Sequence, residues 1–252
     1  MIKQYQNKEW LREKYWEEKL SLSQIGKLCD VTLENILYWM KKFDILRRSL
    51  SKGNHLARGN HCQLSQKAIE WIQGELLGDG CLISSSPYSA YFSYHSKYFE
   101  YAQYVSDTLK SFGIKQIGKI NKYYHKKLNC YSYAYCSHHY VELLSLYKRW
   151  YPEGKKIISK DLELTPLILR QHFIGDGSLI HPKNYNPSIR LATCGFSIFD
   201  VEWLIKKLNK LGFKTTRQPA MNTIYISTHS TKDFLKYIGN SPVRCYDYKF
   251  NY

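Results

Sequence analysis

The apolar and polar positions of the chain follow helical spacing in some segments and strand spacing in others, and one helical pattern occurs twice. An apolar run from Ile72 ends in Gly-Asp-Gly at residues 78–80, and a second run from Leu169 ends in Gly-Asp-Gly at 175–177. The two copies are 97 residues apart, a distance that indicates a duplicated half-domain rather than a short solenoid unit. The pattern therefore predicts two copies of one fold.

Both apolar runs carry the signals of a helix that stops at the Gly-Asp-Gly. Ser65 precedes the first run as a capping residue, and Thr165 followed by Pro166 precedes the second. Gly80 and Gly177 are residues of the kind that ends a helix. We therefore expect each Gly-Asp-Gly at a helix C-terminus.

The segments that follow each run repeat in the same order. The first set is predicted as strands near 81–84 and 88–95, a helix at 98–112, strands near 116–121 and 130–137, and a helix at 139–147. The second set is a helix at 166–174, strands near 178–181 and 188–193, a helix at 198–211, strands near 214–218 and 224–227, and a helix at 231–238. The prediction is an α+β fold of two pseudo-symmetric αββαββα half-domains. Each half would carry an antiparallel sheet with one face open, and the two open faces would form a DNA-binding saddle.

Residues 1–50 have helical spacing and resemble a helix-turn-helix module. Its last helix would begin at Leu33, after the capping residue Thr32. In this interpretation the helix enters a DNA groove. The side chains presented to the groove would be Asn35, Tyr38, Lys41 and Lys42. The alternative is a helical appendage that contacts no bases.

A basic, glycine-containing linker is predicted at residues 51–64, after the pair Arg47 and Arg48. These arginines are candidates for contacts with DNA phosphates, and the alternative is that they are simply solvated. The domain organisation is then a helix-turn-helix-like module at 1–50, the linker at 51–64, a first half-domain at 65–160 and a second at 161–252.

The charge of the chain favours a polyanionic partner. The 252 residues include 37 Lys and Arg against 21 Asp and Glu, a formal net charge of +16. Nucleic acid is the first interpretation of such an excess. A membrane is disfavoured because no 18-residue apolar span is present, and the acidic N-terminal segment is unlike a secretory or transit signal. We expect an intracellular protein of the cytoplasm or nucleoid, with an organellar origin left open.

The seven cysteines indicate reduced thiols rather than a disulfide framework, since their number is odd and no Cys-x-x-Cys occurs. One group, Cys130, Cys136, His138 and His139, was considered as a zinc site. Its spacing fits no common structural zinc pattern. Alternating residues of a strand explain the segment better.

The Gly-Asp-Gly motifs are the strongest candidates for chemistry. A carboxylate at a helix C-terminus is disfavoured, because the helix end already carries partial negative charge and unpaired carbonyls. A bound cation would reverse that preference. If the two helices pack side by side, Asp79 and Asp176 would face each other in an oxygen-rich site that suits Mg²⁺. The alternative is that the glycines are ordinary helix-stop residues with a polar neighbour.

These motifs resemble those of the single-chain, two-motif LAGLIDADG homing endonucleases over about residues 65–252. The resemblance rests on both Gly-Asp-Gly runs, on the segment from Thr193 to Ser197 before a helix, and on the segment from Pro242 to Lys249. One position departs from the pattern. Gln171 stands where the first motif has Gly74, so helix packing there is expected to be looser or differently sized.

The family resemblance implies a set of site residues. Asp79 and Asp176 would bind divalent metal, assisted by the backbone carbonyls of Gly78 and Gly175. Lys156 and Lys249 would be the basic residues near the scissile phosphate, with Lys155 as a competitor for the first position. His95 would either position water or contact DNA, and counting back from Gly113 and Gly212 gives Cys194 as its counterpart in the second half.

The resemblance also implies the reaction. The expected activity is Mg²⁺-dependent hydrolysis of both strands of double-stranded DNA, across the minor groove of a long, weakly palindromic site, by a monomer. Mn²⁺ would substitute for Mg²⁺, and Ca²⁺ would bind without supporting cleavage. The alternatives are an RNA-splicing maturase for its host intron RNA and a DNA-binding regulator on the same scaffold.

Overall fold

The computed structural model describes residues 3–49, 60–127, 129–182 and 186–251. The chain divides into two compact units, Met1–Asn60 and His61–Tyr252. Most of the predicted linker, residues 51–59, lies outside the described residues. The second unit contains both predicted half-domains, and each unit is described by itself below.

The first unit is helical around a small apolar core. Its elements are a 3₁₀ turn (Gln4–Gln6), α1 (Lys8–Arg12) with a following π-helical turn (Glu13–Glu17), α2 (Leu22–Leu28) and α3 (Leu33–Lys42). The start of α2 is fixed by a capping box in which Ser21 and Gln24 exchange hydrogen bonds. The core residues are Tyr5, Leu11, Tyr15, Ile25, Ile36, Met40 and Ile45.

A tight turn joins α2 to α3. The N–H of Val31 donates to the carbonyl of Gly26 at 2.9 Å, and Asp30 takes the left-handed conformation with φ of 53°. A Cβ on Gly26 would lie only 2.6 Å from the Val31 oxygen, so this turn requires glycine within α2. The helices predicted before and after this turn are therefore present.

The first half-domain follows the predicted order of helices and strands. Its elements are α4 (Gln66–Leu77), β1 (Cys81–Ser86), β2 (Ser89–Ser96), α5 (Phe99–Ser111), β3 (Asn121–His125), β4 (Cys130–Cys136) and α6 (Val141–Trp150). The strands form an antiparallel sheet in the order β1-β2-β4-β3. Phe92 and Tyr94 of β2 are fully buried, which identifies the face that the helices cover.

The second half-domain repeats this architecture. Its elements are α7 (Pro166–Asp176), β5 (Gly177–Ile180), β6 (Ser188–Leu191), α8 (Ile198–Lys210), β7 (Thr215–Gln218), β8 (Thr223–Ile226) and α9 (Thr228–Ile238). The sheet order is β5-β6-β8-β7, the same arrangement as in the first half. The predicted α+β fold with two related antiparallel sheets is confirmed.

One strand lies later in the sequence than predicted. The third strand was expected near 116–121, but β3 occupies Asn121–His125, and Gln116 forms only an isolated bridge to Ser137. Asn129 closes the β3–β4 hairpin with φ of 47°, so the residues immediately before this turn pair with β4. Gln116 instead accepts a hydrogen bond from the hydroxyl of Ser106 at 2.6 Å.

The two motif helices, α4 and α7, pack against each other along the boundary between the halves. Their packing is not looser at the unmatched position. A Cβ on Gly74 would lie 2.8 Å from the Cβ of Gln171 and 2.9 Å from the carbonyl oxygen of Ile168. The missing side chain of Gly74 therefore makes room for the longer residue opposite, and the pair is differently sized rather than open.

The last described segment, a 3₁₀ turn at Arg244–Lys249, packs on the first half-domain although it follows the second in sequence. The ring of Tyr246 meets that of Tyr101 edge-on at a centroid distance of 5.0 Å. The backbone N–H of Arg244 donates to the carboxylate of Glu100 at 2.9 Å. These contacts of the segment tie it to α5.

In the described part of the chain, no helix has the length and apolar character needed to cross a membrane.

Candidate active site

The two Gly-Asp-Gly motifs meet where α4 and α7 end. Gly78 caps α4, and α7 ends at Asp176. A Cβ on Gly78 would lie 3.3 Å from the Cα of Gly175, and a Cβ on Gly175 would lie 3.1 Å from the backbone nitrogen of Asp79. Because the backbones touch here, the two aspartates predicted from the sequence are brought to one place between the halves.

Burial and mutual repulsion act on these carboxyl groups. Burial raises the pKa of Asp79, while the nearby ammonium groups of Lys249 and Lys156 oppose that shift. The pKa of Asp176 is raised to about 6, first by burial and then by the negative charge of Asp79. Two partly desolvated carboxyl groups whose pKa values are both raised form a site that an added cation would stabilise.

Each helix end also receives a lysine. Lys156 donates to the carbonyls of Gly78 and Gly80, at 3.4 and 3.0 Å. Lys249 donates in the same way to the last carbonyls of α7, those of Phe173, Ile174 and Gly175. Burial lowers the pKa of both ammonium groups, that of Lys249 to about 8. The lysines thus offset the partial negative charge of the two helix C-termini.

The structure distinguishes Lys156 from its neighbour. Lys155 is exposed to solvent, whereas Lys156 is partly buried and contacts the first motif. The geometry therefore places Lys156 rather than Lys155 beside the aspartates.

A tyrosine that the sequence analysis did not single out also contacts the site. The hydroxyl of Tyr94, a fully buried residue of β2, lies 3.5 Å from Oδ2 of Asp79 and donates a long hydrogen bond to it. The strand alternation placed Tyr94 on the core side of the sheet. Nothing in the strand pattern indicates that the core side of β2 reaches the aspartate, because this depends on how the sheet packs on α4.

A second unpredicted group is a buried carboxyl in the middle of the helix interface. Glu75 accepts hydrogen bonds from the hydroxyl of Tyr101 at 2.5 Å and from the side-chain amide of Gln171 at 2.7 Å. Burial raises the pKa of Glu75 to about 8, so the carboxyl carries a proton at neutral pH. Its counterpart 97 residues later, His172, is also buried, and burial lowers its pKa to about 4. In the sequence, Glu75 and His172 stand out only as titratable residues within an apolar helical run.

His95 lies exposed on the open face of the first sheet, with its ring stacked at 6.5 Å from that of Tyr123. Continuing the β1–β2 register by two residues places His95 opposite Asp79. In the second sheet the N–H of Ala192 donates to the carbonyl of Asp176 at 2.8 Å, so Ala192 is the counterpart. The predicted counterpart, Cys194, was wrong because the turn before α8 differs in length from that before α5.

These features can be compared with known proteins. Residues 69–234 match the LAGLIDADG DNA endonuclease family, a stretch that spans both motifs and all the strands of both sheets. The chain belongs to this family.

Two similarities extend the family assignment. The chain is 28% identical over 201 residues to Uncharacterized protein MJ1098 of Methanocaldococcus jannaschii, covering 79% of this chain and 76% of that protein. It also resembles the homing endonuclease I-WcaI, whose structure was solved bound to its DNA recognition sequence, with a TM-score of 0.65 and 20% identity. That match covers 84% of this chain and 98% of I-WcaI, and it shows a shared fold.

The metal ligands expected in a LAGLIDADG protein fit this site by their chemistry. Asp79 and Asp176 offer carboxylate oxygens, and the carbonyls of Gly78 and Gly175 lie at the same helix ends. Within the described residues, no group of three or more His, Cys, Asp and Glu side chains could hold an ion. Carboxylate and carbonyl oxygens are the hard ligands that a divalent cation of this kind takes.

The cysteine and histidine group is not brought together as a metal site. Cys130 and Cys136 are the two ends of β4, and His138 and His139 follow it. The ring of His139 packs on Tyr91 at 4.8 Å. The strand interpretation of this segment is confirmed.

Most of the DNA-contact candidates in the first unit are exposed. They are Asn35, Tyr38, Lys41, Lys42 and Arg47. Arg48 differs, because its guanidinium donates to the carbonyls of Lys19 and Leu20 and packs over the ring of Tyr15 at 4.0 Å. This placement does not fit the prediction that Arg48 contacts DNA, since its donors are used to hold the segment after α3 within the unit.

Proposed function

We propose that the chain is a site-specific, Mg²⁺-dependent endonuclease that cuts both strands of double-stranded DNA across the minor groove. The observation that carries the proposal is the meeting of Asp79 and Asp176 at two touching helix ends, each supplied with its own lysine. Two related half-sites on one chain suit a long, weakly palindromic target bound by a monomer. Mn²⁺ is expected to substitute for Mg²⁺, and Ca²⁺ to bind without supporting cleavage.

The residues of the site have distinct roles in this reaction. Asp79, Asp176 and the carbonyls of Gly78 and Gly175 would hold the metal. The chemistry that bound metal supplies is activation of water and stabilisation of charge on the phosphate and the leaving oxygen. Lys156 and Lys249 carry positive charge at the same helix ends, where it offsets negative charge that develops on the scissile phosphates.

The open faces of the two sheets are the proposed DNA-contact surfaces. Strand β3, at the edge of the first sheet, is exposed along its whole length and carries basic and aromatic side chains, which suit contacts with a duplex. On the open face of this sheet the ring of Tyr123 stacks on that of His95 at 6.5 Å, and Nε2 of His125 lies 2.6 Å from the hydroxyl oxygen of Ser132, so these polar and aromatic groups form one surface. The excess positive charge of the chain supports phosphate contacts on either side of the cut.

The proposal is tested by replacing the two aspartates singly. Asp79→Asn and Asp176→Asn keep the shape of the side chain but weaken metal binding. Each variant is therefore expected to lose cleavage of a selected target by at least about 100-fold. Binding should persist, because affinity rests mainly on phosphate contacts elsewhere. Cleavage is measured by conversion of supercoiled plasmid to nicked and linear forms, and binding by gel mobility shift without metal.

Asp107→Asn is the matched control, since Asp107 is an exposed carboxylate of α5 away from the motif helices. It should cut at the wild-type rate. Normal cleavage by both Asp79→Asn and Asp176→Asn would contradict the proposal. Tight binding by a wild-type protein that never cuts would instead favour the alternative of a DNA-binding regulator.

We further propose that the first unit contacts DNA through α3, where Asn35, Tyr38 and Lys41 are exposed. Full-length protein with Asn35→Ala and Tyr38→Ala is expected to recognise a shorter target, because base contacts at one end are removed. The measurement is the number of specified base pairs after selection from a random DNA library. Lys8→Ala, a change of an exposed residue on α1, is the control. An unchanged target length would indicate an appendage without base contacts.

A further inference from the structure

A row of four side chains crosses the open face of the second sheet. Register pairs Arg190 of β6 with Ser178 of β5 on one side and with Tyr225 of β8 on the other, and Tyr225 pairs with Thr216 of β7. We call these four residues the second contact row. The neighbours of Arg190 along β6, Ile189 and Leu191, are fully buried on the helix side. Because strand residues alternate between faces, the second contact row points to the open side.

Arg190 carries a partly exposed guanidinium that has no partner among the described residues. Among the residues that the structure describes, it forms no ion pair and no hydrogen bond, and its enclosed Nε has no acceptor. Arg217 of β7, on the helix side of the same sheet, differs because it lies 4.0 Å from Glu202. Arginine side chains usually satisfy several of their five donors, so the donors of Arg190 are available to a ligand.

The second contact row lies next to the candidate active site. Ser178 follows Asp176 by two residues, and Ala192, two residues after Arg190, is hydrogen-bonded to Asp176. A strand rises about 3.3 Å per residue, so the backbone of Arg190 lies about 7 Å from that of Ala192, the residue that is hydrogen-bonded to Asp176. On a duplex cut at this site, Arg190 would meet base pairs close to the scissile phosphates.

The first half-domain has no charged residue at the positions that match Ser178, Arg190 and Tyr225. The corresponding row is Cys81, Ser93 and Cys136, in which Cys81 pairs with Ser93 and Ser93 with Cys136. Ser93 and Arg190 are 97 residues apart, the same offset as the two motifs. The thiol of Cys81 and the hydroxyl of Ser93 already have partners within the sheet. The two halves therefore present unlike chemistry at the same distance from their aspartates.

We propose that Arg190 reads a guanine in the major groove beside the cut, on the side of the second half-domain only. A guanidinium donates two parallel hydrogen bonds to O6 and N7 of guanine, and this is the commonest specific arginine contact with DNA. No residue of the first row can make this contact. The inference rests on the proposed function, because it assumes that the open sheet faces meet a duplex.

The experiment is a binding selection from a randomised duplex library, with metal omitted so that the DNA is not cut. Wild-type protein should enrich guanine at one position near the centre of the site, and replacing that base pair by A·T should weaken binding by about 10- to 100-fold. Arg190→Gln should move the preference at that position to adenine, because a glutamine amide pairs with N6 and N7 of adenine. Thermal melting of the variant checks that it folds.

Arg217→Gln is the matched control. It removes the same charge from the same sheet, so it should lower affinity slightly for all sequences and leave the base preferences unchanged. If wild-type protein selects a defined site and Arg190→Gln selects the same one, the assignment of Arg190 is overturned while the proposed function stands. If wild-type protein selects no site at all, both are overturned.

Discussion

The two motif helices end alike and differ in their middles. At their C-termini the pairs Asp79 with Lys156 and Asp176 with Lys249 repeat the same arrangement. Half-way along, Gly74 in α4 faces Gln171 in α7, and a Cβ at the glycine would lie 2.8 Å from that of the glutamine. The helix ends are therefore duplicated, whereas the middle of the interface is complementary, with a small residue on one helix matched to a larger one on the other.

The surroundings of the two aspartates also differ. Asp79 has the hydroxyl of Tyr94 at 3.5 Å and lies opposite His95 in the sheet register. The matched residues beside Asp176 are Leu191 and Ala192, which offer no polar side chain. We therefore expect the two DNA strands to be cut by the same chemistry in unlike surroundings, and at unlike rates.

The largest effect is expected at the C-termini of the two motif helices, which are alike. Lys156→Met and Lys249→Met should each lower the rate of double-strand cleavage by about 100-fold or more, because each removes positive charge beside the reacting phosphate. The measurement is a single-turnover rate on linear DNA that carries the target. Lys155→Met, a change at the exposed neighbour, should cut within about threefold of the wild-type rate.

A large loss in Lys155→Met with normal cleavage by Lys156→Met would exchange the roles of the two neighbours. A large loss in only one of Lys156→Met and Lys249→Met would show that the two helix ends are not equivalent in chemistry.

A smaller effect is expected where the helices differ. Gly74→Ala places a methyl group against the Cβ of Gln171 and the carbonyl of Ile168, at 2.8 and 2.9 Å. Overpacking of this kind should destabilise the fold by roughly 1–3 kcal/mol, measured by urea unfolding. Gly195→Ala is the control, since a Cβ there meets nothing within 4 Å. Equal stability of both variants would mean that the helices separate easily.

The smallest effect concerns the unlike surroundings of the aspartates. Tyr94→Phe removes the hydroxyl beside Asp79 and should slow nicking of one strand by roughly three- to tenfold, as loss of one hydrogen bond does. The rates are followed with each strand labelled separately. Tyr135→Phe is the control, because the buried hydroxyl of Tyr135 has no hydrogen-bond partner in the described structure. Equal slowing of both strands by Tyr94→Phe would contradict the asymmetry.

The sequence predicted those parts of the fold that depend on local patterns. Helix caps such as Ser65 and Thr165 mark both motif helices, and both caps accept hydrogen bonds from the backbone as expected. Strand alternation and the repeat offset were enough to predict two related sheets. The misplaced third strand shows the limit, since the β3–β4 turn at Asn129 decided its register, and several segments there had similar apolar spacing.

Contacts between distant elements were not predictable in the same way. The hydrogen bonds of Glu75 join α4 to Tyr101 of α5 and to Gln171 of α7. No spacing rule links these three positions, because their meeting depends on how the halves pack. The contacts of Arg48 were unpredictable for the same reason: its basic character is visible in the sequence, but its hydrogen bonds to the carbonyls of Lys19 and Leu20 are not.

The pairing of Gly74 with Gln171 has a consequence for how the two halves can associate. In a homodimer of first halves, two glycines would face each other and leave a void, whereas two second halves would bring glutamine against glutamine where even one added Cβ comes within 2.8 Å. Each helix therefore selects against a copy of itself. We therefore expect the single polypeptide to behave as an obligate heterodimer, in which replacing one half by a duplicate of the other would require redesign of that crossing point.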